Sequence, residues 1–183
     1  MKRMKRHGVL VTIIIGVVIT VLLYPIIFIN YVVDGESMEP TLHDGNKLMV
    51  NKVIYDLQEV DRFDVIVFHV NKNEDFVKRV IGLPEDELEY KNDRLYVNGK
   101  YIEEEYLEPY KKEHGDAFYT EDFDLQEVTG TKKVPENSLF VMGDNRNNSL
   151  DSRSFGFIEI DQIVGKVDLK YWPLEEEQLV TVP

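Results

Sequence analysis

From Gly8 to Ile29 the chain carries no charge and is dominated by Val, Ile and Leu, and this run constrains the fold most. As a helix it would rise about 33 Å, enough to cross the hydrocarbon core of a bilayer. Thr12, Thr20 and Pro25 are compatible with that setting, because helical neighbours can satisfy the backbone locally. A cleavable leader would have a shorter apolar region closed by a small-residue cleavage site. Tyr24 to Val33 offers no such site, so the run reads as an uncleaved anchor. Lys2, Arg3, Lys5 and Arg6 precede it, and the next cation is Lys47. The positive-inside rule then makes residues 1–7 a basic cytoplasmic head, 8–30 a transmembrane anchor, and the remainder extracytoplasmic.

The head holds four of the 21 Lys and Arg residues, which leaves 17 against 34 Asp and Glu in the rest of the chain. Such a polyanion is a poor partner for nucleic acid, since phosphate neutralisation needs basic patches. There is no Cys, so disulfides, thiol catalysis and Cys-ligated zinc are excluded. A length of 183 residues suits the anchor plus one domain of ordinary size.

Beyond residue 45 the apolar period is mostly two. Lys47–Val53, Asp64–Val70, Asp75–Ile81, Ser138–Asp144 and Ile163–Trp172 read as strands. Glu87–Glu105 reads as a meander with turns at Asn92-Asp93 and Asn98-Gly99. The second is a strong hairpin signal, because both central residues must accept positive φ. Between Tyr106 and Pro135 the pattern dissolves into charges and glycines, which predicts a surface insertion over 106–135. The expectation is a mostly β protein: one N-terminal transmembrane helix, an all-β domain over 31–175, and a frayed tail at 176–183.

Zincin, Walker A, dinucleotide-binding, EF-hand, GxSxG and SxxK patterns are absent. His7, His43, His69 and His114 are scattered, so no metal site is expected. Of these, His43 is near enough to Ser37 to be weighed for a Ser-His-Asp arrangement, but nothing in the sequence orients it. Three stretches are more informative. "GESMEPTL" (Gly35–Leu42) places Ser37 between Gly and Pro, a few residues past the anchor. "DFVKRVI" (Asp75–Ile81) puts Lys78 and Arg79 side by side in an apolar strand, so one of them must approach the core. A buried lysine loses its proton more readily, and a neutral amine can serve as general base to a serine hydroxyl. A lysine that snorkels to solvent is the ordinary alternative. "GDNRNNSLDSRSFG" (Gly143–Gly156) spaces Asp144 with Arg146, and Asp151 with Arg153, for pairing.

Taken in order behind an anchor, these stretches resemble the type I signal peptidases, membrane-bound Ser/Lys endopeptidases of bacteria, in their short Gram-positive form. "DRFDVIVF" (Asp61–Phe68) adds a further box. Phe63 stands where the family usually has Gly, and Glu85 in "GLPED" replaces another. The resemblance implies that Ser37 is the nucleophile and Lys78 the general base. Ser149 would orient the lysine amine, Asp151 and Arg153 would form a supporting ion pair, and Asp144 and Arg146 would shape the loop. The oxyanion hole would be the N–H of Ser37 with a backbone contribution from Gly35. Val33, Met38, Leu42, Phe76 and Val77 would line a shallow pocket for small side chains, and an extended substrate would pair with a strand edge near Asp75 or Val33. The implied partners are preproteins with small residues one and three positions before the cut, and the lipid bilayer. No cofactor or metal is implied. Two other readings are a self-cleaving Ser/Lys protease and an inactive, membrane-tethered peptide-binding paralogue.

Overall fold

The computed structural model describes residues 2–108, 110–111 and 119–172. His114 and the 176–183 tail lie outside them. Helix α1 spans Lys2–Ile27, and its Gly8–Ile27 part is long and apolar enough to cross a membrane. The apolar run does not remain helical to residue 30. At Phe28 the chain passes straight into β1 (Phe28–Val32), whose partner is β2 (Lys47–Asn51). Pairing accounts for the early stop: Lys52 N–H donates to Ile27 O at 2.8 Å and Lys52 Nζ to Pro25 O at 3.1 Å, which ties the helix end to the sheet.

The remaining strands are β3 (Val65–Asn71), β4 (Glu74–Gly82), β5 (Leu88–Tyr90), β6 (Leu95–Val97), β7 (Lys100–Ile102), β8 (Phe123–Asp124), β9 (Ser138–Met142), β10 (Ile158–Glu159) and β11 (Ile163–Trp172). Short helices α2 (Leu125–Thr129) and α3 (Ser152–Phe155) lie among them. A seven-stranded antiparallel sheet runs β1-β2-β11-β3-β4-β9-β10, and a four-stranded one runs β7-β6-β5-β8. The larger sheet curls strongly. Tyr31 on β1 donates to Asp75 on β4 at 2.6 Å, although three strands lie between them in the sheet order.

The first half of β3 is buried on two faces. In β3, Val65 and Val67 pack with Met38, Leu42, Leu48 and Val50, while Ile66 and Phe68 pack with Val80, Leu139 and Val141. A third cluster, around Tyr90, Leu95, Leu125 and Phe140, lies between the two sheets. The two predicted hairpin turns form as expected: Asn92, Asp93, Asn98 and Gly99 all have positive φ. Phe63 (φ 75°) and Glu85 (φ 69°), which replace familiar glycines, keep the left-handed conformation. The turn geometry is therefore retained at a cost of about 1–2 kcal/mol per residue. The predicted surface insertion is partly interior. Leu107, Thr120, Leu125 and Val134 are buried, and β8 pairs with β5, because this segment covers the open face of the small sheet.

Gly165 sits at a register shift between β11 and β3, where a side chain would collide with the Asn51 carbonyl of β2. Backbone cannot yield as a side-chain tip can. Gly165→Ala is expected to lower the unfolding free energy by about 1–3 kcal/mol, measured by urea denaturation in detergent.

Candidate active site

Ser37 occupies the turn after β1, and Lys78 the middle of β4. Lys78 Nζ and Ser37 Oγ lie 2.6 Å apart. The expectation that one of two adjacent cations approaches the core is exceeded. Lys78 is 3% exposed and Arg79 fully buried. Their fates differ. Arg79 donates through Nε and Nη2 to both oxygens of Asp144, at 2.9 and 2.7 Å, and stays charged. Among the described residues Lys78 has no such carboxylate within salt-bridge distance, and it lies over the Phe76 ring at 5.2 Å. Burial pushes its pKa down to about 8, against the partial pull of Asp151 and Asp144 in the other direction.

Asp144 does not pair with Arg146, contrary to their spacing in sequence. The Asp144 carboxylate faces Arg79 and also accepts from Thr41 Oγ1 at 2.5 Å. Arg146 instead reaches the buried Glu104 at 2.6 Å, joined by the hydroxyls of Tyr90, Tyr106 and Thr120. Burial by itself would raise the Glu104 carboxyl, but Arg146 outweighs it and holds it below the ordinary range. Neighbours two apart on a tight loop project in different directions, so sequence spacing misassigns these pairs. Asp151 and Arg153 do pair, through two side-chain hydrogen bonds of 2.9 and 2.8 Å. Asp151 also caps α3 and accepts from Gly143 N–H at 3.0 Å. Burial would raise its pKa too, and Arg153 more than reverses that.

Ser149 makes no well-aligned hydrogen bond to the lysine amine. Its hydroxyl is buried beside the Asp151 carboxylate and helps to hold that carboxyl's pKa down. It packs over Gly143, where a side chain would overlap both Ser149 and the Ser37 carbonyl. Gly35 has φ 92°, but its N–H donates to Asp44 Oδ1 at 2.9 Å and is not a free donor here. Ser37 N–H has no partner among the described residues. His43 pairs with Glu39 at 3.2 Å rather than with Ser37, which leaves no triad.

A cleft of about 250 Å³ opens above Ser37 and Lys78, with Val33, Met38, Phe76 and Val77 among its walls. Leu42 is not among them. It is fully buried in the core beneath the Ser37 turn, where it donates its N–H to Met38 O. Leu150 and Tyr31, unforeseen in the sequence, do line the cleft. Larger recesses exist, such as an apolar one of about 570 Å³ beside Tyr55 and Leu139, but they hold no nucleophile beside a base. β4 pairs with β3 from Glu74 onward and with β9 only from Arg79, so its edge beside the cleft is open from Glu74 to Lys78. Val33 offers no such edge, since its N–H and carbonyl are bound to Asn46 and Gly45.

A hydroxyl against a dehydrated amine, in a cleft bordered by an unpaired strand edge, defines the class as a hydrolase, a serine endopeptidase. A family model described as signal peptidase, peptidase S26, matches residues 5–172. Signal peptidase I of Bacillus caldolyticus is 60% identical over 150 residues, covering 82% of each chain. Signal peptidase IB of Staphylococcus aureus (strain COL) is 43% identical over 171 residues, 91% of this chain and 90% of that one. The crystal structure of a signal peptidase I from Enterococcus faecalis V583 superposes with a TM-score of 0.56 at 41% identity, over 60% of this chain and 97% of that one. The chain belongs to the signal peptidase family, peptidase S26.

Burying the amine costs stability. With a folded pKa near 8 and an unfolded one of 10.5, the unfolded chain binds the extra proton between those values. Wild-type stability therefore rises with pH across that window, and the full cost applies below it. Lys78→Met is expected to gain about 3 kcal/mol in unfolding free energy at pH 7 and to lose that gain above pH 10.5. Denaturation at pH 7 and pH 11 checks both.

Proposed function

We propose that the protein removes N-terminal signal peptides from exported preproteins, with Ser37 as nucleophile and Lys78 as general base. The observation that carries this reading is the 2.6 Å approach of Lys78 Nζ to Ser37 Oγ inside the cleft. The neutral amine takes the hydroxyl proton as Ser37 Oγ attacks the scissile carbonyl carbon. The oxyanion of the tetrahedral intermediate is held by the Ser37 N–H, and Gly35 N–H would join it only on leaving Asp44. The lysine ammonium then gives its proton to the departing amine nitrogen, and the acyl-enzyme forms. Lys78 next takes a proton from water, whose oxygen attacks the ester, and returning that proton to Ser37 Oγ releases the signal peptide. Ser149 Oγ, its hydroxyl beside the Asp151 carboxylate, is available to accept from the lysine ammonium formed at each step.

The substrate lies extended along the open edge of β4 and adds a strand to it. Its side chains then alternate between the cleft and solvent. The walls from Val33, Met38, Phe76 and Val77 leave room for small side chains one and three residues before the cut. The Gly8–Ile27 helix spans the bilayer, with the basic head in the cytoplasm and the cleft outside. Ser37 lies ten residues past the end of that helix, where a preprotein's cleavage site emerges from the lipid.

Ser37→Ala and Lys78→Ala are each expected to abolish cleavage of a synthetic signal-peptide substrate while leaving the circular dichroism spectrum unchanged. Substantial turnover by either variant defeats the dyad. The wild-type kcat should rise about tenfold per pH unit below about 8 and level off above it, since only the neutral amine is a base. For topology, protease added to intact cells is expected to remove an epitope placed at Glu103, and protection there reverses the orientation.

A further inference from the structure

We propose that Asn145 is a positioning residue whose side-chain amide aims the Ser37 N–H at the developing oxyanion. This deepens the reading above and rests on Ser37 being the nucleophile. The peptide linking Glu36 to Ser37 is planar, and its C=O and N–H point in opposite directions. Whatever grips the Glu36 oxygen therefore fixes where the Ser37 N–H points. Asn145 Nδ2 donates to that oxygen at 3.1 Å. The Asn145 backbone N–H donates to Ser37 O, also at 3.1 Å. One residue thus holds the carbonyls on both sides of the nucleophile.

Asn145 is itself held firmly. Its neighbours Asp144 and Arg146 are buried and paired with Arg79 and Glu104, on the large sheet and beside the small one. Arg146 Nε also donates to Gly143 O at 3.1 Å, closing the turn that carries Asn145. The role matters more because Gly35 N–H is engaged by Asp44, which leaves the Ser37 N–H as the donor free at rest among the described residues. Donation into the Glu36 carbonyl also polarises the same peptide and strengthens its N–H as a donor. Asn148 provides a natural control. Its Nδ2 reaches the Glu36 carboxylate at 3.3 Å and leaves the peptide untouched.

The test uses the full chain in detergent with Asn145→Leu, which keeps much of the shape and removes the donor without adding charge, and Asn148→Leu beside it. Three quantities are compared: kcat and KM on a signal-peptide substrate, affinity for the cleaved product peptide, and affinity for a peptide aldehyde. The Ser37 hydroxyl adds across the aldehyde carbonyl to give a tetrahedral adduct whose oxygen takes the oxyanion's place. Asn145→Leu is expected to lower kcat and aldehyde affinity together, by about 10- to 100-fold, within the range seen for oxyanion donors. KM, product affinity and the midpoint of the pH–rate profile should stay at wild-type values, and Asn148→Leu should match wild type throughout. Unchanged kcat and aldehyde affinity in Asn145→Leu overturns the proposal. So does a loss shared by product affinity, or a displaced pH midpoint, since either marks a general loosening of the loop. Ser37→Ala is assayed alongside. If it still cleaves, the nucleophile assignment fails by itself, whatever Asn145→Leu does.

Discussion

The site depends on keeping water from one amine. Lys78 lies in a strand whose neighbours are Val, Ile and Phe, and the curl of the large sheet brings the Ser37 turn over it. A solvated lysine holds its proton far too tightly to act as a base near neutral pH. The dehydration that lowers the Lys78 pKa is spread over the scaffold, so no single contact supplies it. It is also a liability that the rest of the fold has to offset, in a domain whose whole stability is of the order of 10 kcal/mol.

The neighbouring arginines show the contrasting solution. Arg79 and Arg146 are as deeply buried as Lys78, but each faces a carboxylate and keeps its charge. Such pairs seldom add net stability over apolar residues of similar size, because desolvation offsets the attraction. Their use here is geometric. Asp144 gathers β4, Thr41 beyond Ser37 and, through its carbonyl, the Tyr119 hydroxyl. Arg146 gathers the small sheet through Tyr90 and Glu104. The loop from Gly143 to Ser149 is thereby fastened to both sheets at once. It presents backbone donors and a bare glycine surface to the Ser37 turn.

Much of this was legible in the sequence. The anchor, the strands and both hairpin turns follow from hydropathy period and turn chemistry, which are local. Ser37 and Lys78 were legible because a lone serine between Gly and Pro, and a cation in an apolar strand, each break the local pattern. The partners of Arg146 and Asp144 were not legible, since Glu104 and Arg79 are brought to them by folding over 42 and 65 positions. The burial of Leu42 was hidden for a related reason: a turn shows apolar residues in its sequence without showing which side they face. The segment after Tyr106 misled because Glu121, Asp122 and Lys132 are exposed, while Leu125 and Val134 pack into the cluster between the two sheets.

The junction between α1 and β1 has no linker. Ile27 ends the helix, Phe28 begins the sheet, and Lys52 clamps the seam from β2. A hinge there would let the domain nod and swivel freely above its stalk. This joint instead ties the direction of the helix to the direction of the sheet, so the two turn as one piece.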